Sequence, residues 1–317
     1  MIPWLLSGLG LFILLLAGDA LVRGAVTLSL RIGIPALIVS LTIVAFGTSA
    51  PELLIAINAV LDDSSGLALG NVVGSNIANI LLVLGFPAIV ATLHTSAFDS
   101  RKTYIFMLGA TFLFIALAYR GYFDYFSGLL LLSTLGLVLY FAVRDGRNHQ
   151  RNNEKSDYAT EGLEKLDPEG STLRLVMYLA LGLIGLPLGA ELLVENATII
   201  AKTFDVTDTI IGLTLVAVGT SLPELATTIM AAVRRQADVA LGNVIGSNMF
   251  NLLAVIGISS LVDVISVDPT FIEFDLWIML MSSLLIVPFV FFKLDISRVW
   301  GIVLFAVYVV YLSIIFA

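Results

Sequence analysis

Gly47-Thr48-Ser49-Ala50-Pro51-Glu52 lies inside an apolar run and returns 172 residues later, in a second apolar run, as Gly219-Thr220-Ser221-Leu222-Pro223-Glu224. A carboxylate at membrane depth is costly, and a proline among small polar residues interrupts the helix that would otherwise satisfy the backbone there. Two such placements in one chain point to a cation site. The repeat continues outward: Leu41 to Gly85 aligns without a gap on Leu213 to Gly257, pairing Gly70-Asn71-Val72 with Gly242-Asn243-Val244 and Gly74-Ser75-Asn76 with Gly246-Ser247-Asn248. Asn79 falls on Asn251, and about half of the aligned positions are identical, the mark of an internal duplication.

Composition sets the class. Hydrophobic residues make up 59% of the 317 residues, charged residues 13%, and mean hydropathy is +1.02, where a soluble domain is roughly one quarter charged. The chain reads as an all-α polytopic membrane protein in contact with the lipid bilayer. The net charge of −8 comes from acids in loops, in one polar segment and at the repeated motif, and supports no nucleic-acid partner. With no cysteine, disulfides, thiolate metal sites and cysteine nucleophiles are excluded; His94 and His149 leave little imidazole chemistry. No His-Glu-x-x-His motif or Ser-His arrangement supports an enzyme. No cofactor and no obligate protein partner are expected. The N-terminus lacks a basic n-region, so the first apolar run is expected to be a retained helix.

Apolar stretches of spanning length predict ten helices, near 2–26, 34–60, 67–93, 103–119, 123–143, 173–199, 207–233, 239–265, 274–292 and 297–316. Residues 1–143 form the first five-helix half, with its repeat segment at 41–85. Residues 144–172 are a polar linker, and 173–317 form the second half, with its repeat segment at 213–257. Loops after odd-numbered helices carry 14 of the 16 Lys and Arg residues, and the opposite side only Arg120 and Lys202. The positive-inside rule then places the linker in the cytoplasm and both termini outside, in the cytoplasmic (inner) membrane of a prokaryote. Five helices per half is odd, so the two repeats are expected to be inverted about an axis in the membrane plane.

Pro51 donates no hydrogen bond and clashes with the carbonyl of Gly47, so a regular helix fails at residues 47–51 and carbonyls near Ala45 and Thr48 are expected to be freed. Glu52 can face the same cavity as those carbonyls and the hydroxyls of Thr48 and Ser49. The inverted copy brings Glu224, Thr220, Ser221 and Ala217 from the other side. Helices 3 and 8 add Ser75, Asn76, Asn79, Ser247, Asn248 and Asn251, with Ser75 and Asn79, or Ser247 and Asn251, on one helical face. The inventory is oxygen only, which suits Ca²⁺ or Na⁺ over Mg²⁺, zinc or copper.

These paired segments closely resemble the α-repeats of the Na⁺/Ca²⁺ exchanger branch of the calcium/cation antiporter family, prokaryotic type, across both halves and the linker. The resemblance implies Ca²⁺ held between Glu52 and Glu224 with Thr48 and Thr220. It also implies Na⁺ sites that use Ala45, Ser49, Ser75, Ala217, Ser221 and Ser247, an exchange of three Na⁺ for one Ca²⁺, and helices 1 and 6 moving across the other eight. The H⁺-coupled calcium branch is the alternative, and a cation channel is a weaker one because it has no need of two interrupted helices. Some exchangers carry aspartate where this chain has Asn79 or Asn251, so K⁺ co-transport is not expected here. The linker is too short for calcium-sensing domains.

Blander roles compete at other positions. Gly70, Gly74, Gly242 and Gly246 serve helix packing or ion access, and Asn71 and Asn243 are read as caps or interhelical donors rather than ligands. Asp19 is read as a local ion pair with Arg23, and its repeat partner Glu191 as an interfacial carboxylate, with an acidic vestibule as the alternative. His94 and His149 are assigned no role.

Overall fold

The computed structural model describes residues 2–151, 171–204 and 217–315. Among these, eight helices are long and apolar enough to cross a bilayer, and a bent pair makes nine. They are α1 (Ile2–Ile32), α2 (Ala36–Thr48) with α3 (Ala50–Leu61) at a 44° bend, α4 (Ser65–Val90), α5 (Arg101–Ala118), α6 (Tyr125–Arg151) and α7 (Thr172–Thr203). After a short helical turn at Ala217–Gly219 follow α8 (Leu222–Val233), α9 (Ala237–Val262), α10 (Phe271–Phe291) and α11 (Arg298–Ile315). The first part of the expected span at 207–233, and most of the linker, lie outside the described residues.

Several boundaries differ from the sequence expectation. α1 continues to Ile32, ending where Gly33 takes φ +66 and Ile34 N–H reaches back to Ser29 O at 3.1 Å, the usual glycine stop. α6 runs past 143 to Arg151, so the linker's first residues extend a helix. Its start is capped by Asp124, whose carboxylate accepts Ser127 N–H at 2.9 Å; the Ser127 bonds and Arg120 hold that carboxyl at about 2. α4 stops before 93 because Leu93 instead pairs with Ile296. The all-α expectation needs one small correction: β1 (Tyr122–Phe123) pairs antiparallel with β2 (Ile265–Ser266). Loop backbones at a membrane face satisfy each other's hydrogen bonds in this way.

Packing explains the layout. Of the spanning windows of α4 and α9, 83% and 89% are buried, against 33% and 28% for α1 and α7. So α4 and α9 form the centre and α1 with α7 an outer layer. The α1–α7 contact is built on glycines: a Cβ on Gly10 would meet Leu193 N at 2.7 Å, one on Gly185 would meet Ala17 Cβ at 2.8 Å, and one on Gly182 would meet Leu21 Cβ at 2.5 Å. As α1 numbers rise the α7 numbers fall, so the two helices are antiparallel. Backbones approach this closely because lipid offers no hydrophobic drive between helices, and close packing has to supply the attraction. Leu14, Ala17, Leu21, Leu186 and Ala190 join Val39 and Val44 of α2 and Ala226 of α8 in a small apolar cluster, while Val22 and Val26 of α1 belong to the large core.

Gly242 and Gly246 are packing residues: added Cβ atoms would meet Leu37 O at 2.6 Å and Leu41 O at 2.5 Å. There α9 lies against α2, tied by Ser40 Oγ donating to Val239 O at 2.7 Å. Gly246→Ala would also strike Ala45 Cβ at 2.5 Å, so it is expected to cost about 1–3 kcal/mol by overpacking. The measurement is the apparent Tm in detergent, which should fall by several degrees; an unchanged Tm would refute the contact.

Candidate cation site

Both repeated motifs produce the same backbone event. At Ser49 (φ −86, ψ 5) α2 gives way to α3, and at Ser221 (φ −87, ψ 4) the turn Ala217–Gly219 gives way to α8. In each case proline occupies the first turn of the new helix, where its missing N–H costs nothing. Glu52 and Glu224 follow directly, also in the first turn. Both glutamates are fully buried.

Hydroxyls surround each of them. Ser75 Oγ donates to Glu52 Oε1 at 3.2 Å and lies 3.3 Å from Ser221 Oγ, so the second motif touches the first motif's carboxylate through one serine. Reciprocally, Ser49 Oγ donates to Glu224 Oε1 at 3.3 Å and Ser247 Oγ to the same oxygen at 3.4 Å. Thr48 Oγ1 lies 3.3 Å from Ser247 Oγ and donates to Asn243 Oδ1 at 3.4 Å. Ser75–Glu52 and Ser247–Glu224 are one contact made twice, at the repeat offset.

The asparagines stand one layer away. Asn79 Nδ2 donates to Asn248 Oδ1 at 3.0 Å, and Asn248 Nδ2 to Asn76 O at 3.3 Å, stitching α4 to α9. Asn79–Val83 and Asn251–Val255 are π-helical turns at repeat-equivalent places, a widening common at functional sites. Glu52 Oε2, Glu224 Oε2, Asn76 Oδ1, Asn79 Oδ1 and Asn251 Oδ1 are all buried without a hydrogen-bond partner. Orphaned oxygens in an apolar interior are expensive, which makes them favourable contacts for a hard cation. Among the described residues no three His, Cys, Asp or Glu side chains gather, so the negative charge available is that of two carboxylates.

The structure thus gathers Glu52, Ser75 and Ser221 in one hydrogen-bonded group and Glu224, Ser49, Ser247 and Thr48 in another, each drawing on both repeats. Asn79 and Asn251 bond neither carboxylate; Asn251 has both amide atoms unpartnered. Thr220 is half-buried, and the side chain of Ala217 lies outside the described residues. The expectation of a freed carbonyl at Ala45 is corrected: Ala45 O accepts Ser49 N–H at 3.0 Å and the Thr48 hydroxyl at 3.3 Å, because the helix survives to Thr48 and breaks only after it. Asn71 and Asn243 prove to be interhelical donors, to Glu52 O and Glu224 O, each at 3.4 Å. Thr228, which accepts from Asn243 at 3.3 Å, carried no sequence signal because its repeat equivalent is Ala56.

The Sodium/calcium exchanger protein family matches residues 2–144 and 174–317. The chain belongs to this family. The sodium/calcium exchanger MaX1 of Methanosarcina acetivorans is 32% identical over 99% of both chains. Inner membrane protein YrbG of Escherichia coli is 35% identical over 87% of this chain and 85% of its own. Among solved structures, the sodium-calcium exchanger NCX_Mj soaked with 2.5 mM Na⁺ and 1 mM Sr²⁺ superposes with a TM-score of 0.83 at 30% identity, covering 99% of this chain and 98% of its own. This exchanger-family chain is therefore an integral membrane protein of the prokaryotic Na⁺/Ca²⁺ exchanger type, and its family is one of membrane transporters.

Proposed function

We propose that the chain is an antiporter that exchanges three Na⁺ for one Ca²⁺ by alternating access. Glu52, Glu224, Thr48 and Thr220 hold Ca²⁺, while Ser49, Ser221, Ser75, Ser247, the carbonyl of Ala217 and that of Ala45, which keeps its bond from Ser49 N–H, complete the Na⁺ sites. Asn79 and Asn251 offer their unpartnered amide oxygens from one layer away. The observation that carries this reading is the pair of buried carboxylates at two matched helix breaks, each with an orphaned oxygen. Two carboxylates balance one divalent ion, and the oxygen-only surroundings suit Ca²⁺ and Na⁺. The relatives named for sodium/calcium exchange agree with it.

Ten helices in two inverted repeats are part of the proposal, and three observations support them. The α1–α7 contacts come in related pairs: Gly10–Leu193 and Leu21–Gly182 exchange under the 172-residue offset, as a twofold axis between antiparallel helices demands. The loop pairings also come in twos, Leu93 with Ile296 and Phe123 with Ile265. Paired loops share a membrane face, so an even number of spans must separate them. Counting α8 as part of a span makes the number even for both pairings.

The test is ⁴⁵Ca²⁺ uptake into proteoliposomes loaded with Na⁺, K⁺ or an acidic interior. Na⁺-driven accumulation against a Ca²⁺ gradient is expected; uptake driven only by H⁺ overturns the Na⁺ coupling, and purely downhill flux overturns antiport. Orientation is checked separately. Single cysteines placed in the linker and near either terminus should label from the cytoplasmic side for the linker and from outside for both termini, as the distribution of Lys and Arg requires. A C-terminus on the same side as the linker would break the ten-span proposal.

A further inference from the structure

The two helix-ending turns that follow α3 and α8 have the same backbone and opposite charge. Ser64 N–H reaches Ala59 O at 2.7 Å behind Asp63 (φ 54), and Gln236 N–H reaches Ala231 O at 2.8 Å behind Arg235 (φ 57). One turn is Asp62-Asp63 and the other Arg234-Arg235. The outer helices carry equally unequal partners: α1 has Asp19 and Arg23, and α7 has Glu191 and Glu195 at the equivalent positions. On the α8 side, Asp19 receives Arg23 Nε at 2.9 Å and Arg234 Nε on its other oxygen, with Asp19 and Arg234 side chains only 19% and 17% exposed. On the α3 side, Asp62, Glu191 and Glu195 are exposed, and among the described residues no ion pair joins them.

Packing follows the charges. A Cβ on Gly18 of α1 would meet Ala226 C and O of α8 at 3.0 Å, so these helices touch backbone to backbone. The equivalent of Ala226 on α3 is Leu54, and it is 63% exposed. One face of the molecule is sealed between outer layer and core, and the other is not.

We propose that Asp19, Arg23 and Arg234 form a latch that closes the α8 face, while the like charges of Asp62, Glu191 and Glu195 hold the α3 face apart. The ion-free protein then rests with its site facing the α3 side, which the positive-inside rule makes the outside. The inference rests on the alternating-access reading above and assigns Asp19 and Arg234 as positioning residues that bias it, without contact to the ions. Moving α1 along α8 separates Asp19 from Arg234, so each turnover breaks the latch, and the partly buried pair loses more than a surface pair would.

The chain has no cysteine, so thiols introduced at Asn58 and Met230, equivalent positions one turn before Asp62 and Arg234, report on the two faces. Without Na⁺ and Ca²⁺, a charged maleimide should label Asn58→Cys fast and Met230→Cys slowly. Asp19→Asn or Arg234→Gln should raise labelling at Met230→Cys by about fivefold and lower it at Asn58→Cys, and Arg234→Lys should restore the original pattern. Asp62→Arg, which offers Glu191 a partner, should protect Asn58→Cys. It also keeps the proposal testable if Asp19 variants fail to fold. Labels that ignore both Asp19→Asn and Asp62→Arg, or rise together at both sites, overturn the latch and leave these charges a role in membrane orientation only. ⁴⁵Ca²⁺ flux is measured in parallel: responsive labels without Na⁺-driven flux overturn exchange and support the latch, and normal flux with unresponsive labels does the reverse.

Discussion

Glu52→Gln and Glu224→Gln are each expected to reduce Na⁺-driven ⁴⁵Ca²⁺ uptake by about a hundredfold or more while the protein still folds and inserts. Removing one partner from a buried charge interaction costs about 3–5 kcal/mol, and each tenfold in affinity or rate needs about 1.4 kcal/mol. No neighbour can substitute. The groups around each carboxylate are neutral hydroxyls and amides, and the other glutamate is already committed to the same cation. The fold should tolerate the change because glutamine is isosteric, keeps an oxygen for Ser75 or Ser247 to donate to, and removes a buried charge from a site that is ion-free part of the time. Size-exclusion profile and Tm in detergent check that half of the statement. Normal exchange in both variants would move the site elsewhere.

The second expected result is electrogenic exchange. With Glu52 and Glu224 ionised and Asn79 and Asn251 neutral, the protein's own site charge is −2. One Ca²⁺ brings it to zero and three Na⁺ bring it to +1, so the Na⁺-loaded form feels the membrane potential. One charge across 100 mV is worth about 2.3 kcal/mol, a bias of up to about fiftyfold. In vesicles with a fixed Na⁺ gradient, an inside-positive potential set by K⁺ and valinomycin should speed Ca²⁺ uptake coupled to Na⁺ exit, and an inside-negative one should slow it. Indifference to potential would point to two monovalent ions per Ca²⁺. Asn251→Asp gives a second check, since a third carboxylate would alter the voltage dependence.

Much of the site was legible in sequence because its chemistry violates the local rules of a membrane span. A buried Glu after a Pro, inside an apolar run, has no packing explanation, and its exact recurrence at a fixed offset made the pair visible without coordinates. Thr48, Ser49 and their repeat mates stood in the repeated motif itself, and Ser75 and Ser247 followed from helical spacing. The Ala45 carbonyl was misjudged because proline announces a break within a turn and does not say at which residue it falls; Ser49 took the non-helical angles and left Ala45 bonded. The π-turns at Asn79 and Asn251 were invisible because a widened turn leaves no composition signal.

Hydropathy by itself determined that this is a membrane protein, and the duplication pointed to two related halves with a paired-carboxylate oxygen site. These are properties of residue type and order, and the bilayer admits few folds that can satisfy them. Only the tertiary structure decided which copy touches which: Ser75 of one half at Ser221 of the other, Asn79 at Asn248, and Asp19 at Arg234 rather than at Arg23 alone. Two repeats alike in sequence carry no information on how far each outer helix has slid against its partner. That is set by packing at glycines and by charges distant in the chain, as where Gly18 meets Ala226 and Asp19 meets Arg234.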